Sequence, residues 1–367
     1  MLGSDGQRHF FLVQFATPHS TRSDERVMQL HVMMKRLLEK NYEARRRDMH
    51  IHTPLVIPIT PRMRLMEDNT SFTSLGELHE IDMQQHGRDP DAAIILFRER
   101  ITAAIDAESE RARPRVDVLT EQQQQQLAAA LKQAELGAKQ RALQEISQTV
   151  GIDMLARFVS KTMQDSEAVW AFKRAFAQQL AVSSLLCYGF TCGERYPHKL
   201  MFDETTARVI SHEFRPGYTH QGMLEVSEEV PFRLTRNITT LLSPFLIEGV
   251  FATSMVTTAQ ALCTREEVMR PYLSLMLRDD LQSWHASKTP VRSEFEQRGI
   301  EKQLNERMVK NVNKVVGRFK DVCTSPGLTH KDTKRHVAAD TRVHELIRQA
   351  QSEKALSSMN ATWMAWV

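Results

Sequence analysis

Cysteine is scarce in this 367-residue chain, with Cys187, Cys192, Cys263 and Cys323 spread widely and no C-x-x-C pair among them. That spacing builds neither a disulfide framework nor a thiolate zinc cluster, and it fits reduced thiols in a cytosolic or nuclear protein. Long apolar runs are missing too. None approaches the roughly 18 residues of a membrane span, and the first residues lack the basic-then-apolar order of a secretory leader, so a soluble intracellular chain without a transmembrane segment is expected. Charge of one sign is also absent: the net charge is +3. A nucleic-acid-binding surface is normally concentrated and basic, so direct nucleic-acid binding is not expected. The triplet Arg45-Arg46-Arg47 reads as a solvated face. No G-x-x-x-x-G-K-[ST] phosphate loop and no G-x-S-x-G nucleophile elbow occurs. His50 and His52 alternate as two ligands on a strand face would, but no third ligand accompanies them.

What is present is an ordinary globular composition, 41% hydrophobic and 25% charged, long enough for one large domain or two. His9–Phe15 is a short apolar run after the turn signal Ser4-Asp5-Gly6, and it reads as the second strand of a hairpin whose first strand barely exists. The chain therefore reads as starting inside a domain. Val27, Leu30, His31, Met34, Leu37 and Leu38 then fall on one face at helical spacing within residues 22–41. Extended stretches at 49–59 and 62–67 follow, and strand, helix, strand, strand in so short a span predicts a small α+β lobe.

Beyond Ser74 the pattern is mostly helical. Helices are expected over 92–112, around Val169, Phe172, Phe176 and Leu180, and over 235–242, 252–263, 270–285, 299–322 and 333–350. One hairpin, 199–202 with 207–211, interrupts them around Asp203-Glu204-Thr205-Thr206. The segment 121–147 carries the glutamine run Gln122–Gln126 and reads as a solvent-exposed helix or mobile insertion rather than core. A small leading lobe before a larger helical one is a bilobal plan.

Several stretches then resemble one family in order. Residues 22–30 (RSDERVMQL) are similar to the first-lobe helix of the phosphatidylinositol-3-kinase-related kinases, Pro231–Thr235 (PFRLT) to their "VPFRLT" stretch, and Ile247–Phe251 to the segment after it. Leu277–Leu281 with Trp284 resembles a later helix, and residues 359–367 (MNATWMAWV) a FATC tail. Residues 61–69 (PRMRLMEDN) and the Trp-x-x-Trp-plus-aliphatic ending resemble the transcription-associated pseudokinase branch of that family. The likeness implies a bilobal protein-kinase-like α+β fold: first lobe 1–75, helical second lobe 76–334 with a Gln-rich insertion near 115–150, and a FATC tail 335–367.

It also supplies a chemical test. Phosphoryl transfer needs a lysine on the nucleotide phosphates, an Asp and an Asn on magnesium, and catalytic-loop side chains that orient and deprotonate the nucleophile. Where the family has "D-R-H-x-x-N", this chain has Glu194-Arg195-Tyr196-Pro197-His198-Lys199, and near the "D-F-G" position it has Glu213-Phe214-Arg215. Glu194 keeps a carboxylate one methylene further out, and a misplacement of about 1 Å can cost on the order of a hundredfold. Tyr196, in the place of the His, is a poor proton acceptor at neutral pH. Lys199 brings an ammonium where magnesium needs a neutral oxygen. Glu213 keeps the metal-binding charge, Arg215 removes the freedom of a glycine, and Gln14 stands where the nucleotide-binding lysine is expected. No catalytic residue and no cofactor is therefore assigned.

Other readings of the same residues stay structural. Glu194-Arg195 suits an internal ion pair, His198 and His212 suit surface or hydrogen-bonded histidines, and Asp279 and Asp280 point apart on one helix. At the C-terminus, Trp363, Trp366 and Val367 either complete the core of the helical lobe or form a partner-docking surface or membrane-interface anchor. The resemblance implies a nuclear, non-catalytic scaffold whose partners are protein subunits of a transcription coactivator or histone acetyltransferase complex such as SAGA. The alternative is a divergent protein or lipid kinase using ATP and magnesium.

Overall fold

The computed structural model describes residues 1–15, 23–60, 63–68, 71–112, 121–193, 195–211, 216–226, 228–288, 294–323 and 332–367. Leu2 and Arg8 form an isolated antiparallel bridge, and β1 (Phe10–Phe15) follows. The amphipathic helix α1 (Ser23–Lys40) buries all six residues of the predicted face, with Leu30, Met34 and Leu38 fully sealed. A five-residue helix α2 (Tyr42–Arg46) is capped by Asn41, whose side chain accepts from the Ala44 amide at 3.1 Å. Strands β2 (Val56–Thr60) and β3 (Met63–Asp68) complete an antiparallel sheet in the order β1-β3-β2. The expected strand over 49–59 is shorter than predicted: residues 49–55 are irregular, because Met49 and Ile51 turn into the core instead of pairing.

Strand β4 (Phe72–Ser74) runs directly into α3 (Leu75–Gln85) through a capping box. The Glu77 amide donates to Ser74 Oγ at 3.1 Å, and the Ser74 amide donates to Glu77 Oε2 at 2.9 Å. Helices α4 (Ala92–Ala112) and α5 (Glu121–Thr149) pack along each other, tied by Arg100 to Glu145 at 2.7 Å. Here the expectation for 121–147 needs correction. Its second half buries Ala138, Ala142, Leu143 and Ile146, an i, i+4, i+5, i+8 stripe that the glutamine run conceals in a composition average.

Helix α6 (Met154–Thr162) leads to α7 (Ser166–Gly189), whose first turn is capped by Asp165 accepting from Ala168 N at 2.7 Å. Phe172 and Phe176 of α7 stack with centroids 6.1 Å apart and meet Phe202 edge-on. Phe202 lies in β5 (Leu200–Asp203), which pairs with β4 and with β6 (Val209–Ser211). The predicted hairpin thus gains a third strand from residues 72–74. Asp203 Oδ1 closes its turn, accepting from the Thr205 and Thr206 amides at 2.9 and 2.7 Å, while Oδ2 takes the Ser71 hydroxyl. Burial works against that carboxylate, yet these hydrogen bonds hold its pKa well below the ordinary value.

A two-stranded ribbon, β7 (Gly217–Tyr218) with β8 (Leu224–Glu225), precedes the remaining helices: α8 (Arg236–Leu242), α9 (Ala252–Cys263), α10 (Glu266–Lys288), α11 (Glu294–Cys323), α12 (Asp332–Gln351) and α13 (Glu353–Ser357). Helix α9 is nearly all buried and contacts α7, α11 and α12. Gly189 lets α7 meet α11, because a Cβ there would stand 2.2 Å from the Phe319 ring. Arg26 of α1 reaches Asp279 of α10 at 3.0 Å, so Asp279 is structural, as expected. The cysteines are free thiols, with Cys263 Sγ 3.0 Å from Cys323 Sγ at neighbouring ends of α9 and α11. Among the described residues, no single helix is long and apolar enough to cross a membrane.

Candidate functional site

The loop after α7 carries Arg195, Tyr196 and Lys199, and its geometry follows from one inward-facing arginine. The Arg195 guanidinium donates to the carbonyls of Pro231 and Val230 at 2.9 and 2.8 Å, and to Glu228 Oε2 at 3.1 Å. Arg233 approaches the same carboxylate at 2.5 Å, so one acid serves two guanidinium groups. Burial pushes the Glu228 pKa up, but Arg233 and Arg195 outweigh it and hold the carboxyl below its usual value. Burial, with Arg195 as a like-charged neighbour, brings Arg233 down to about 10. Glu194 lies outside the described residues, and Glu228 takes the ion-pair role expected of it.

The backbone carbonyl of Arg195 is also engaged. Arg233 Nη2 donates to it at 3.0 Å, and so does the indole N–H of Trp363. The Arg233 guanidinium carbon stands 4.8 Å from the centroid of the same indole, a cation–π contact. Residues 360–367 form a 3-10 turn over Ala361–Trp366, capped by Asn360, that buries Trp363, Trp366 and Val367 completely. Arg236 donates to the Val367 backbone oxygen at 2.7 Å and to Ser147 O at 2.9 Å. Asn237 donates to Gly151 O and accepts from Met154 N. The core-completing arrangement is thus the one observed, and a partner would have to lift the tail to reach either indole.

Past Arg195 the chain turns through Pro197–Lys199 into β5. The Lys199 ammonium lies 5.2 Å from the Tyr196 ring centroid, and the Lys199 amide donates to Tyr196 O at 3.0 Å. Lys199 therefore folds a positive charge towards the Tyr196 ring. His198 stays at the surface, 3.5 Å from Glu80, with its ring against Gly76. Gln14 belongs to the other sheet, where its Oε1 accepts from Arg64 Nε at 3.0 Å across the β1–β3 pairing. Glu213, Arg215 and His212 lie outside the described residues.

His50 and His52 sit on the irregular stretch before β2, so strand alternation does not apply to them. Both line a small cavity with His31. Burial lowers the pKa of His31 and of His50 to about 4 and also depresses that of His52. Among the described residues no group of three or more His, Cys, Asp or Glu is placed to hold a metal ion.

Comparison with known proteins meets this geometry. The family described as phosphatidylinositol 3- and 4-kinase matches residues 11–286. This chain belongs to that family. It is 29% identical over 303 residues to the SAGA complex/NuA4 acetyltransferase complex subunit TRA1 of Saccharomyces cerevisiae, a match covering 78% of this chain and 8% of that protein. The human transformation/transcription domain-associated protein is 25% identical over 375 residues, covering all of this chain and 9% of its own length. The serine/threonine-protein kinase ATR of Oryza sativa subsp. indica is 26% identical over 373 residues, covering all of this chain and 12% of the kinase. The chain thus spans about a tenth of the length of these relatives. A solved structure described as the FAT and kinase domain of CtTel1 superposes with a TM-score of 0.67 at 19% identity, covering all of this chain and 22% of that one, and carries the same fold.

Glu228, Arg233, Arg236 and Asn237 were not singled out in the sequence as site residues, and Arg195 was expected in an ion pair with Glu194 rather than Glu228. Arg233 sits inside the PFRLT stretch, and an arginine amid apolar neighbours was the available signal that something buried would have to pair with it.

Proposed function

We propose that this chain is the non-catalytic kinase-like and FATC portion of a nuclear coactivator scaffold. It comprises a first lobe 1–75, a helical second lobe 76–334 and a tail 335–367, and its partners are protein subunits of a SAGA- or NuA4-type acetyltransferase complex. The observation that carries the reading is the Lys199 ammonium folded onto Tyr196 in the loop that should present a magnesium ligand and a catalytic histidine. A cation there opposes metal binding, and a phenol is a weaker general base than an imidazole. Gln14 adds support, because it spends its carbonyl oxygen on Arg64 and brings no charge to a phosphate. The likeness to TRA1 and to the human transcription-associated protein supports the choice of assembly.

Purification of the full chain through an N-terminal tag, followed by mass spectrometry, tests the partner assignment. Acetyltransferase-complex subunits should co-purify, and their absence would remove the scaffold role. Similarity to the ATR kinase favours one competing reading, a divergent phosphotransferase using Glu194 and Glu213. Titration with ATP and magnesium separates the two: the scaffold predicts no phosphate transfer. A saturable thermal shift followed by transfer, both abolished by Glu213→Ala, establishes the kinase instead.

A further inference from the structure

Two cysteines 60 positions apart in the sequence meet at one corner of the helical part of the chain. Cys263 ends α9, Cys323 ends α11, and their sulfurs stand 3.0 Å apart. Both are free thiols; Cys323 is buried and Cys263 is partly open. Cys263 also donates its S–H to the Phe319 carbonyl, one turn back along α11, at 3.0 Å. Beside the thiols the Lys320 ammonium meets Glu266 at 2.8 Å, which ties α11 to the start of α10.

The two backbones that carry the sulfurs are fixed by packing. Helix α11 turns Val315, Phe319 and Val322 into the core where it lies on α9, and the Phe319 ring closes on Phe190 with centroids 5.3 Å apart. Bringing sulfurs from 3.0 Å to the about 2.05 Å of an S–S bond asks for about 1 Å of side-chain movement. The partly open Cys263 is the sulfur a small oxidant reaches, and Cys323 is its nearest nucleophile. The Cys323 thiol and burial push the Cys263 thiol up, so its thiolate is scarce and the pair stays reduced until a strong oxidant is present.

We propose that Cys263 and Cys323 are a peroxide-responsive dithiol that closes into a disulfide and locks α9 to α11. The Cys263 thiolate attacks one oxygen of hydrogen peroxide and the O–O bond breaks. Cys263 becomes a sulfenic acid, and the departing hydroxide takes up the proton the thiol released, giving water. The Cys323 sulfur then attacks the sulfenic sulfur, the S–O bond breaks, and the hydroxyl leaves with the Cys323 proton as a second water. The two thiols lose two electrons and the peroxide gains them. The link closes a loop that contains all of α10 and constrains the unfolded chain. Exchange with a reducing dithiol reopens it.

The test treats the folded full chain with hydrogen peroxide, blocks the remaining thiols with iodoacetamide and maps the digested, unreduced peptides by mass spectrometry. A peptide pair joined through Cys263 and Cys323 within one chain is expected, and dithiothreitol should remove it. The oxidised chain should melt about 5 °C higher than the reduced one, with the rise lost on reduction. Cys263→Ser and Cys323→Ser should each abolish both the link and the rise, whereas Cys187→Ser should keep both. Mapping the wild-type chain decides the matter even if a serine variant does not fold. The proposal fails if both thiols remain open to iodoacetamide after unfolding of the peroxide-treated chain, the result expected of a mere S–H···S contact. It fails equally if Cys263 ends as a sulfinic acid without the link, if the link forms only between chains, or if the linked chain melts no higher.

Discussion

The tail and the leading sheet are both short apolar stretches near the ends of the chain, and they are treated in opposite ways. Trp363 and Trp366 are 0% exposed and Val367 is 1% exposed, whereas Phe10 and Phe15 of β1 are 53% and 76% exposed. The difference is not hydrophobicity. The tail arrives where α8 and the Arg195 loop already present hydrogen-bonding partners, Arg236, Asn237 and the Arg195 carbonyl, with the Arg233 guanidinium over the Trp363 ring. β1 has β3 along one edge, and its outward side chains meet little of the described chain. Apolar residues are buried by what surrounds them, and polar anchors decide where that happens.

The largest effect should come from the tail. Trp363→Ala removes a sealed indole, its hydrogen bond to the loop and its cation–π contact, and about 3–5 kcal/mol of stability should be lost in denaturant melts. Wild-type stability in that variant would break the comparison at once. Glu228→Ala comes next, at about 3 kcal/mol, because it strands two arginines whose side chains are largely buried. Mutating Arg195 to Met as well should recover part of that loss.

Acid sharpens the contrast from another direction. Above pH 6.5 His31 is neutral in both folded and unfolded chains; below it the unfolded chain takes up a proton, while the folded chain does so only near pH 4. Stability should therefore fall as pH drops from about 6.5 to 4, by on the order of 3 kcal/mol for this group, with His50 acting in the same direction. His31→Leu should flatten the profile of melting temperature against pH. Asn237→Ala, which unpairs the amide of Met154 and the Gly151 carbonyl, is expected to cost about 2 kcal/mol. Smallest of all, Phe15→Ser should shift stability by less than about 0.5 kcal/mol, as surface changes do. A drop comparable to that of Trp363→Ala would mean that β1 is as integral as the tail.

Much of the fold was legible because its signals are local. The α1 face, the limits of α4 and α9 and the 199–211 hairpin follow from apolar spacing and turn chemistry within a few residues. Two features were obscured by averaging or distance. The glutamine run masked the buried stripe of α5, and the third strand, β4, pairs with residues about 130 positions away, which no local pattern announces. At the site, Tyr196, Lys199 and Gln14 were singled out by alignment of short motifs, and their part in chemistry belongs to the proposal. The grip on the loop was not, because Arg195, Glu228, Arg233 and Trp363 meet only after folding.

The seat of Val367 has a practical consequence for handling the protein. Arg236 holds its backbone oxygen against the end of α5, with Asn237 beside it, in a space with almost no opening to water. A purification handle or fluorescent fusion attached there must thread out through that space or pull the last turn with it. Poor yield or lost binding from such a fusion would report damage by the label. A handle at Met1, whose neighbours are exposed, leaves the last turn in place.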